Sequence, residues 1–265
     1  MRPYRKAGIA STFSPTHLAV LAEAFAFLRR VGAAAEVLHC SEFTQEKERL
    51  FQQSFDELGI EAQAVFLPGD DPCREIIQAV QVRELDLVIA GALERHMSHE
   101  ERSFTGSVAR RLLEQCPCDV LLLPNPQQSP PSLSCGFFAV EPGQENIENF
   151  VVEVSKLLGL EEVVLGVAET PFASALALSR GEEPVDTQNW ADDLASKIAR
   201  PGLTADALVV DSNTGFGLCE AVRGSGAQIL VAEAARTGGR TVLPSHLDWM
   251  RQVIPTRLLL RVGQG

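Results

Sequence analysis

"AGALERHMSHEERSFTGSVARRLL" (residues 90–113) begins at the end of an apolar run and finishes inside a segment whose apolar residues have helical spacing. Gly91 ends the apolar run, a charged loop follows, and Thr105-Gly106-Ser107 opens the helical segment. Free N–H groups at the start of a helix point at whatever lies in front of it and bind anions. The stretch therefore has the layout of a strand, a loop and a helix that together hold a phosphate group.

Strands and helices alternate on both sides of this stretch. Apolar runs predict strands at 7–12, 34–40, 62–69, 86–92 and 119–124. Apolar residues recur at helical spacing between the runs, and Ser14-Pro15 and Asp71-Pro72 have the cap-then-proline order that starts helices. Strands this apolar, each followed by a helix, predict a parallel sheet that is covered by helices on both faces.

The same order of elements begins again after "NPQQSPPS" (125–132), which has the proline-rich, polar composition of a linker. The second set of predicted strands and helices is as follows: strands 136–140, 162–168, 205–211, 227–234 and 256–262, and helices from Ile147, at 187–199, at 215–223 and at 245–254. Two similar halves predict an internal duplication. We therefore expect two open five-stranded α/β domains, at 1–126 and 134–265, joined by a linker at about 125–134.

The composition excludes several classes of partner. The formal net charge of −12 argues against binding to nucleic acid or to an anionic membrane surface. No apolar run approaches the ~20 residues that a membrane-spanning helix needs, and the N-terminus lacks the apolar core of a secretion signal. These features predict a cytoplasmic protein that does not insert into membranes.

Six cysteines occur in the chain, and only Cys116 and Cys118 lie close together in sequence. A second such pair or nearby histidines would be expected for a metal site, and neither follows. Buried thiols in a reducing compartment are the favoured interpretation, with metal or redox use of the pair as the alternative. His96 and His99, among the glutamates of the 94–103 loop, are interpreted as part of a solvated charged loop, so no metal is predicted.

"DLVIAGA" (86–92), the loop, and "GSVARRLLEQCPCDVLLLP" (106–124) together resemble the closing section of universal stress proteins. In that family a strand ends in Gly-x-x-Gly, about nine residues follow, and Gly-Ser/Thr starts the last helix. "IASTFSPTHLAVLAEAFAFLRRVGAAAEVLHC" (9–40) resembles the family's opening strand, helix and strand. The resemblance implies a tandem form whose halves pair through their last strands as an internal pseudo-dimer, with homodimerisation as a further alternative.

The resemblance also implies an ATP site along the carboxyl ends of the strands, as in open α/β sheets generally. The matching positions in this chain are Thr12, Cys40, Gly91, Glu94, Gly106, Ser107 and Val108. Thr12 replaces an acidic residue, and Glu94 replaces a glycine and places negative charge where phosphate would lie. Eleven residues separate Glu94 from Gly106, so the loop must follow a different path.

The second half departs further from the family pattern. Glu141 falls on the acidic position, but Ala232 and Ala235 stand where the two early glycines belong. Pro244 stands at the position of the helix-start glycine, where proline lacks the donor N–H. We therefore expect this half to be a structural partner that binds no nucleotide.

Three functions remain open at this point. The favoured one is a non-catalytic tandem universal stress protein with a regulatory role in stress response, a small anionic ligand or adenine nucleotide bound at most weakly in the first half, and an unidentified protein partner. The second is an ATP-binding, weakly ATP-hydrolysing form, although the chain has no Walker lysine, Gly-x-Ser-x-Gly or His-Glu-x-x-His motif. The third is an interaction module without any ligand. ATP is the one cofactor implied.

Overall fold

A computed structural model describes residues 3–92, 105–169, 180, 186–211, 216–243 and 245–263. Strands and helices alternate in the first half of the chain. These elements are β1 (Lys6–Ala10), α1 (His17–Val31), β2 (Ala34–Cys40), α2 (Gln45–Leu58), β3 (Ala64–Leu67), α3 (Pro72–Val82), β4 (Leu87–Gly91), α4 (Ser107–Gln115) and β5 (Asp119–Leu123). Four of these strands lie within the apolar runs from which they were predicted, and β1 begins one residue before its run, at Lys6.

The second half repeats this alternation and adds a short hairpin strand. Its elements are β6 (Cys135–Val140), α5 (Ile147–Leu158), β7 (Glu162–Glu169), α6 (Thr187–Ile198), β8 (Thr204–Asp211), α7 (Phe216–Gly224), β9 (Ile229–Thr237), β10 (Arg240–Val242), a 3-10 helix (Ser245–Arg251) and β11 (Arg257–Val262). No helix in the described ranges has the length and apolar character to cross a bilayer.

The eleven strands in the described part of the chain belong to one sheet, with β10 attached to β9 at its side. The order is β3-β2-β1-β4-β5-β11-β9-β6-β7-β8, so both halves run in the same order outward from the β5–β11 junction. Neighbouring strands within each half are parallel, apart from the β9–β10 hairpin. The predicted α/β class with a mostly parallel sheet is confirmed, while the domain boundaries at 126 and 134 stay a prediction.

The last strands of the two halves pair with each other, and this is the antiparallel junction between the two parallel blocks. Leu122 lies opposite Leu258, and Leu121 lies opposite Leu259. All four side chains are fully buried. An apolar edge strand promotes association when it is left open, and here each half covers the edge of the other.

The core forms two layers, one on each face of the sheet. Alternate residues of the central strands supply the two layers: Leu121 and Leu259 lie in one cluster, whereas Leu122 and Leu258 lie in the other. This division follows from the two-residue period of side chains along a strand. The apolar runs are continuous because both faces of these strands are covered.

Two predicted helix boundaries are corrected by the structure. The first helix begins at His17 rather than at Ser14-Pro15, because the Ser14 carbonyl accepts the His17 N–H in a separate turn at 3.0 Å. The predicted helix at 245–254 is a 3-10 helix over Ser245–Arg251. Leu247, Trp249 and Met250 are buried in it, and Leu247 and Met250 lie three positions apart, which is one turn of a 3-10 helix.

The sequence analysis also missed a hairpin. The predicted strand at 227–234 corresponds to β9, which continues to Thr237 and turns through Gly238 and Gly239 into antiparallel β10. Both glycines have positive φ values, 59° and 80°. Two consecutive residues of this kind form the tight turn that matches the twist of a two-stranded hairpin.

Candidate functional site

The start of α4 is the feature from which a phosphate site was predicted. Gly106 is the N-cap residue, is buried, and has extended backbone angles of φ −64° and ψ 159°. Its N–H donates to the Ala92 carbonyl at 2.7 Å. Ser107 follows as an exposed residue in the first turn, and Val108 is half-buried. One donor of the predicted cradle is thus already bonded to the chain's own backbone.

The residue before Gly106 ties this helix start to the second half of the chain. The Thr105 N–H donates to the Gln252 carbonyl at 2.9 Å, and the Thr105 hydroxyl donates to the Met250 carbonyl at 3.1 Å. Thr105 is buried. The start of α4 is therefore held between the end of β4 and the 3-10 segment of the other half.

The loop side of the site is described only in part. Gly91 is exposed at the end of β4, and a Cβ added there would meet Val20 Cγ2 at 3.4 Å, an ordinary contact. Its position therefore has no steric requirement for glycine. Glu94, which stands at the second glycine position, lies outside the described residues, as do His96 and His99.

Thr12 lies two residues after the end of β1, and Cys40 is the last residue of the neighbouring strand β2. Both lie at the edge of the sheet that the carboxyl ends of the strands form, as does Gly91 at the end of β4. Thr12 is exposed and its carbonyl accepts the Ser14 N–H at 2.7 Å. The half-buried Cys40 thiol lies 3.6 Å from the Pro72 carbonyl, and burial raises its pKa to about 11. The structure thus brings Thr12, Cys40 and Gly91 to one edge, where Cys40 stays a neutral thiol at neutral pH.

A cluster of histidines and phenylalanines lies beneath this edge. His17 Nδ1 is 2.8 Å from Ser11 Oγ, and His39 Nδ1 is 2.9 Å from the Ser11 carbonyl. The ring centroid of Phe51 is 5.4 Å from that of His17 and 5.2 Å from that of His39. Both histidines are buried, with 7% of the surface of each exposed.

Burial and the nearby His39 lower the pKa of His17. The ring centroid of Phe13, which is 36% exposed, lies 5.0 Å from that of His39 and partly covers the cluster from the solvent side. Sequence reasoning did not predict this cluster, because its members come from β1, α1, β2 and α2. The available signal was the adjacency of parallel strand ends, which places the residues after β1 beside those at the end of β2.

A bidentate ion pair joins α3 to α4 near the same edge. Arg111 donates through Nη1 and Nη2 to the two carboxylate oxygens of Asp71, at 2.7 and 2.8 Å. Asp71 also caps α3 by accepting the Cys73 and Arg74 N–H groups. These bonds, with that of Arg111 first, lower the pKa of Asp71 to about 2. The predicted helix start at Asp71-Pro72 is confirmed, and its cap carboxylate neutralises an arginine of α4.

At the corresponding strand ends of the second half, the described residues form a hairpin and a 3-10 helix where the first half has the start of α4. The Gln144 side chain donates to Glu233 at 2.9 Å, and the Glu141 N–H donates to Gln144 Oε1 at 3.4 Å. β9 continues through Ala235 into the hairpin, and the 3-10 helix follows. Pro244 lies outside the described residues. Among the described residues, no group of three or more His, Cys, Asp or Glu side chains could hold a metal ion.

The fold and the site define the class of protein: an open, mostly parallel α/β sheet with candidate ligand residues at the carboxyl ends of its strands. Residues 42–124 match the model of the universal stress protein family and constitute a domain of that family. Curated proteins give no sequence match to the chain.

Solved structures share the fold over almost the whole chain. A universal stress protein from Archaeoglobus fulgidus DSM 4304 is similar with a TM-score of 0.68 and 13% identity, covering 97% of this chain and 98% of its own. A protein of unknown function from Pseudomonas aeruginosa PAO1 is similar with a TM-score of 0.68 and 12% identity, covering 98% and 92%. The fold of a universal stress protein therefore extends beyond residues 42–124 to both halves.

Proposed function

We propose that this chain is a non-catalytic tandem universal stress protein with a regulatory role in stress response, and that its first half binds an adenine nucleotide at most weakly. The hydrogen bond from the Gly106 N–H to the Ala92 carbonyl carries the proposal. A phosphate at the helix start would have to compete for a donor that is already bonded at 2.7 Å. Breaking this hydrogen bond would offset part of the free energy of ligand binding.

The charges around the helix start support the same conclusion. Arg111 lies one turn into α4, where a guanidinium would otherwise help to neutralise phosphate, but Asp71 accepts two charge-assisted hydrogen bonds from it. Glu94 adds a carboxylate to the loop of the family's phosphate site. An anionic ligand would therefore meet one neutralised arginine and at least one acidic side chain from this part of the sequence.

The position that resembles the adenine end of the family's site is also altered. Thr12 is exposed and offers a hydroxyl group where the resemblance implies a carboxylate. Cys40 lies against the Pro72 carbonyl at the neighbouring strand end. A neutral hydroxyl makes a weaker hydrogen bond to a base than a carboxylate does. This difference weakens recognition of adenine as well as of phosphate.

A regulatory role is supported by the way in which the two halves are joined. Thr105 bonds the candidate site to Gln252 and Met250 of the second half. A ligand or protein that moves the start of α4 would therefore perturb the 3-10 segment as well. We propose that an unidentified protein partner in the cytoplasm recognises the conformation of the α4 start and the 3-10 segment, and that the second half acts as a structural partner.

ATP binding with weak hydrolysis is the second candidate function. It is favoured by the exposed Ser107 in the first turn of a helix that begins as the family's does, with Gly106-Ser107-Val108. First-turn N–H groups beyond the N-cap have no acceptor within the helix. This candidate differs from the first in the strength of binding and in the release of product.

Mass spectrometry of the freshly purified chain tests the proposal. The protein is denatured and the released small molecules are analysed, with a variant carrying Gly106→Pro as the matched control. We expect no adenine nucleotide in stoichiometric amount from either protein, and no ADP or AMP above background after incubation with ATP. A stoichiometric nucleotide that the control lacks would instead establish the second candidate, and steady product release would show an enzyme.

A further inference from the structure

Two thiols meet where α4 joins β5. Cys116 is the C-cap residue of α4, Pro117 follows, and Cys118 precedes the first residue of β5. The two sulfur atoms are 3.6 Å apart, and both cysteines are free thiols. The chain bends at the end of α4, and both side chains lie on the same side of this bend. Residues i and i+2 of a strand also lie on one face, so the spacing fits an extended backbone as well.

The two thiols differ in their access to solvent. Cys116 is buried, with 1% of its surface exposed, whereas Cys118 is half-buried. Cys118 lines a cavity of about 860 Å³, together with Tyr4, Asp86, Asp119 and Arg261. A cavity of this volume lies within the range of ~300–1,000 Å³ that is typical of small-molecule sites. A small disulfide can therefore reach Cys118 without unfolding of the chain.

The contact between the two thiols shifts their pKa values in opposite directions. A hydrogen bond from the Cys118 thiol lowers the pKa of Cys116, with a smaller contribution from the positive charge of Arg236, and this outweighs burial and the charge of Asp119, which raise it. Cys118 keeps the shared proton, so its own pKa is raised. Two coupled thiols titrate as a unit, and a proton transfer between sulfur atoms in contact moves the negative charge to the accessible Cys118.

Two residues of the second half donate hydrogen bonds to the backbone between Cys116 and Cys118. Arg236 of β9 donates through Nη1 to the Pro117 carbonyl at 3.0 Å. Thr241 of β10 donates through its hydroxyl to the Cys116 carbonyl at 3.3 Å. The β9–β10 hairpin, which the sequence analysis missed, therefore donates hydrogen bonds to the two carbonyl groups that lie between the two cysteines.

We propose that Cys116 and Cys118 form a redox-active dithiol that closes reversibly to an intramolecular disulfide by exchange with a low-molecular-weight disulfide. Cys118 Sγ attacks one sulfur of the small disulfide, so a mixed disulfide forms and one small thiolate leaves. Cys116 Sγ then attacks Cys118 Sγ, the protein disulfide forms, and the second small thiolate leaves. The protein loses two electrons and two protons, and the small disulfide gains them as two thiols.

Closure of the disulfide alters the contact with the second half. The two sulfur atoms must approach from 3.6 Å to a bond length of about 2.05 Å. Because only Pro117 separates the two residues, this movement rotates the Cys116 and Pro117 peptide groups. The hydrogen bonds from Thr241 and Arg236 to those carbonyl groups then weaken, so the redox state of the pair controls the attachment of the hairpin.

Equilibration of the full chain in glutathione buffers, followed by acid quench and alkylation under denaturing conditions, tests the proposal. The reduced chain takes up six alkyl groups, one for each cysteine, and the oxidised chain takes up four. Cleavage before aspartate gives the peptide 86–118, which contains no other cysteine. In the oxidised wild-type protein we expect this peptide to carry no alkyl group and to be 2 Da lighter than the calculated mass of the unalkylated dithiol peptide, so the bond is located without any variant.

The matched variants are Cys118→Ser and Cys40→Ser, since Cys40 is also a half-buried thiol but donates to the Pro72 carbonyl at 3.6 Å rather than to a second sulfur. Cys118→Ser should take up five alkyl groups in every buffer, whereas Cys40→Ser should still lose two on oxidation. Phenylarsine oxide, a trivalent arsenical that bridges two neighbouring thiols, should bind wild type in a 1:1 ratio and Cys118→Ser at least tenfold more weakly.

Hydrogen exchange reports the contact with the hairpin. Amides of Arg240–Val242 should exchange several-fold faster in the oxidised protein than in the reduced protein, and Cys118→Ser should show no such change. The proposal is overturned if the wild-type chain stops at a mixed disulfide on Cys118 or retains all six thiols in oxidising buffer. Equal exchange of the hairpin in both redox states would overturn the link between the dithiol and the second half.

Discussion

A buried ion pair between Glu23 of α1 and Arg257 of β11 offers the sharpest test of how the two halves hold together. Glu23 is 4% exposed, and its carboxylate accepts from Arg257 Nε and, at 2.9 Å, from the N–H of Gln127 in the linker segment. Arg257 also donates through Nη1 to the Gln228 carbonyl at 3.2 Å. One carboxylate therefore joins the first half, the linker segment and the last strand.

We expect Glu23→Ala to lower the free energy of unfolding by about 3 to 5 kcal/mol, because it leaves a largely buried guanidinium without its carboxylate. The side chain of Arg257 is 16% exposed, so water can replace only part of the lost interaction. Replacement of both charged residues by apolar ones, Glu23→Leu with Arg257→Met, removes the unpaired charge. We expect the double variant to recover to within ~1 kcal/mol of wild type or to exceed it.

Urea unfolding followed by far-ultraviolet circular dichroism measures both variants. The control is Lys197→Ala, which breaks the exposed pair of Lys197 with Asp193 on α6 and should leave the midpoint near that of wild type. The reasoning would be refuted if Glu23→Ala unfolds at the wild-type midpoint. It would also be refuted if the double variant is as unstable as the single one, since the loss would then come from packing.

Two further predictions concern packing and pH. Gly166→Ala should destabilise the chain by about 1 to 3 kcal/mol, because the added Cβ would lie 2.1 Å from the buried ring of Phe137. The control is Gly224→Ala, whose new Cβ has no atom within 4 Å. Equal urea midpoints for the two variants would contradict the prediction. The lowered pKa of His17 means that the unfolded state binds more protons, so stability should fall as the pH falls below ~6.5; the lowered pKa of Asp71 should add a second loss between pH ~4 and about 2. Urea midpoints measured from pH 8 to pH 2 would show these losses, and a flat profile would contradict both assignments.

Features that depend on residues adjacent to one another in the sequence were predictable. Asp71-Pro72 places a side-chain cap directly before a proline, and α3 starts there. The apolar strands were found because both faces of each are buried, so their sequences are continuous. The shift of the first helix to His17 and the 3-10 helix were missed, since helix starts and the spacing of buried residues depend on packing that the local pattern does not contain.

The candidate site was predictable only as a set of positions. The resemblance placed Thr12, Cys40, Gly91 and Gly106 at one edge of the sheet, but it could not show that the Gly106 N–H is bonded to Ala92. Contacts between segments that are distant in the sequence could not be predicted either, such as those of the buried histidines with Ser11 and Phe51. The proximity of Cys116 and Cys118 was visible in the sequence, whereas their contact with the hairpin was not.

Calorimetric titration of ATP into the full chain tests the central claim most directly. We predict a dissociation constant of roughly 1 mM or weaker, equivalent to about −4 kcal/mol. The variant Glu94→Gly should bind roughly tenfold more tightly or better, because a unit charge ~4 Å from phosphate costs about 1 to 4 kcal/mol and about 1.4 kcal/mol corresponds to tenfold. Gly106→Pro should remove any remaining binding, and Pro244→Gly should change little. Micromolar binding by the wild-type chain that Glu94→Gly weakens would contradict the account.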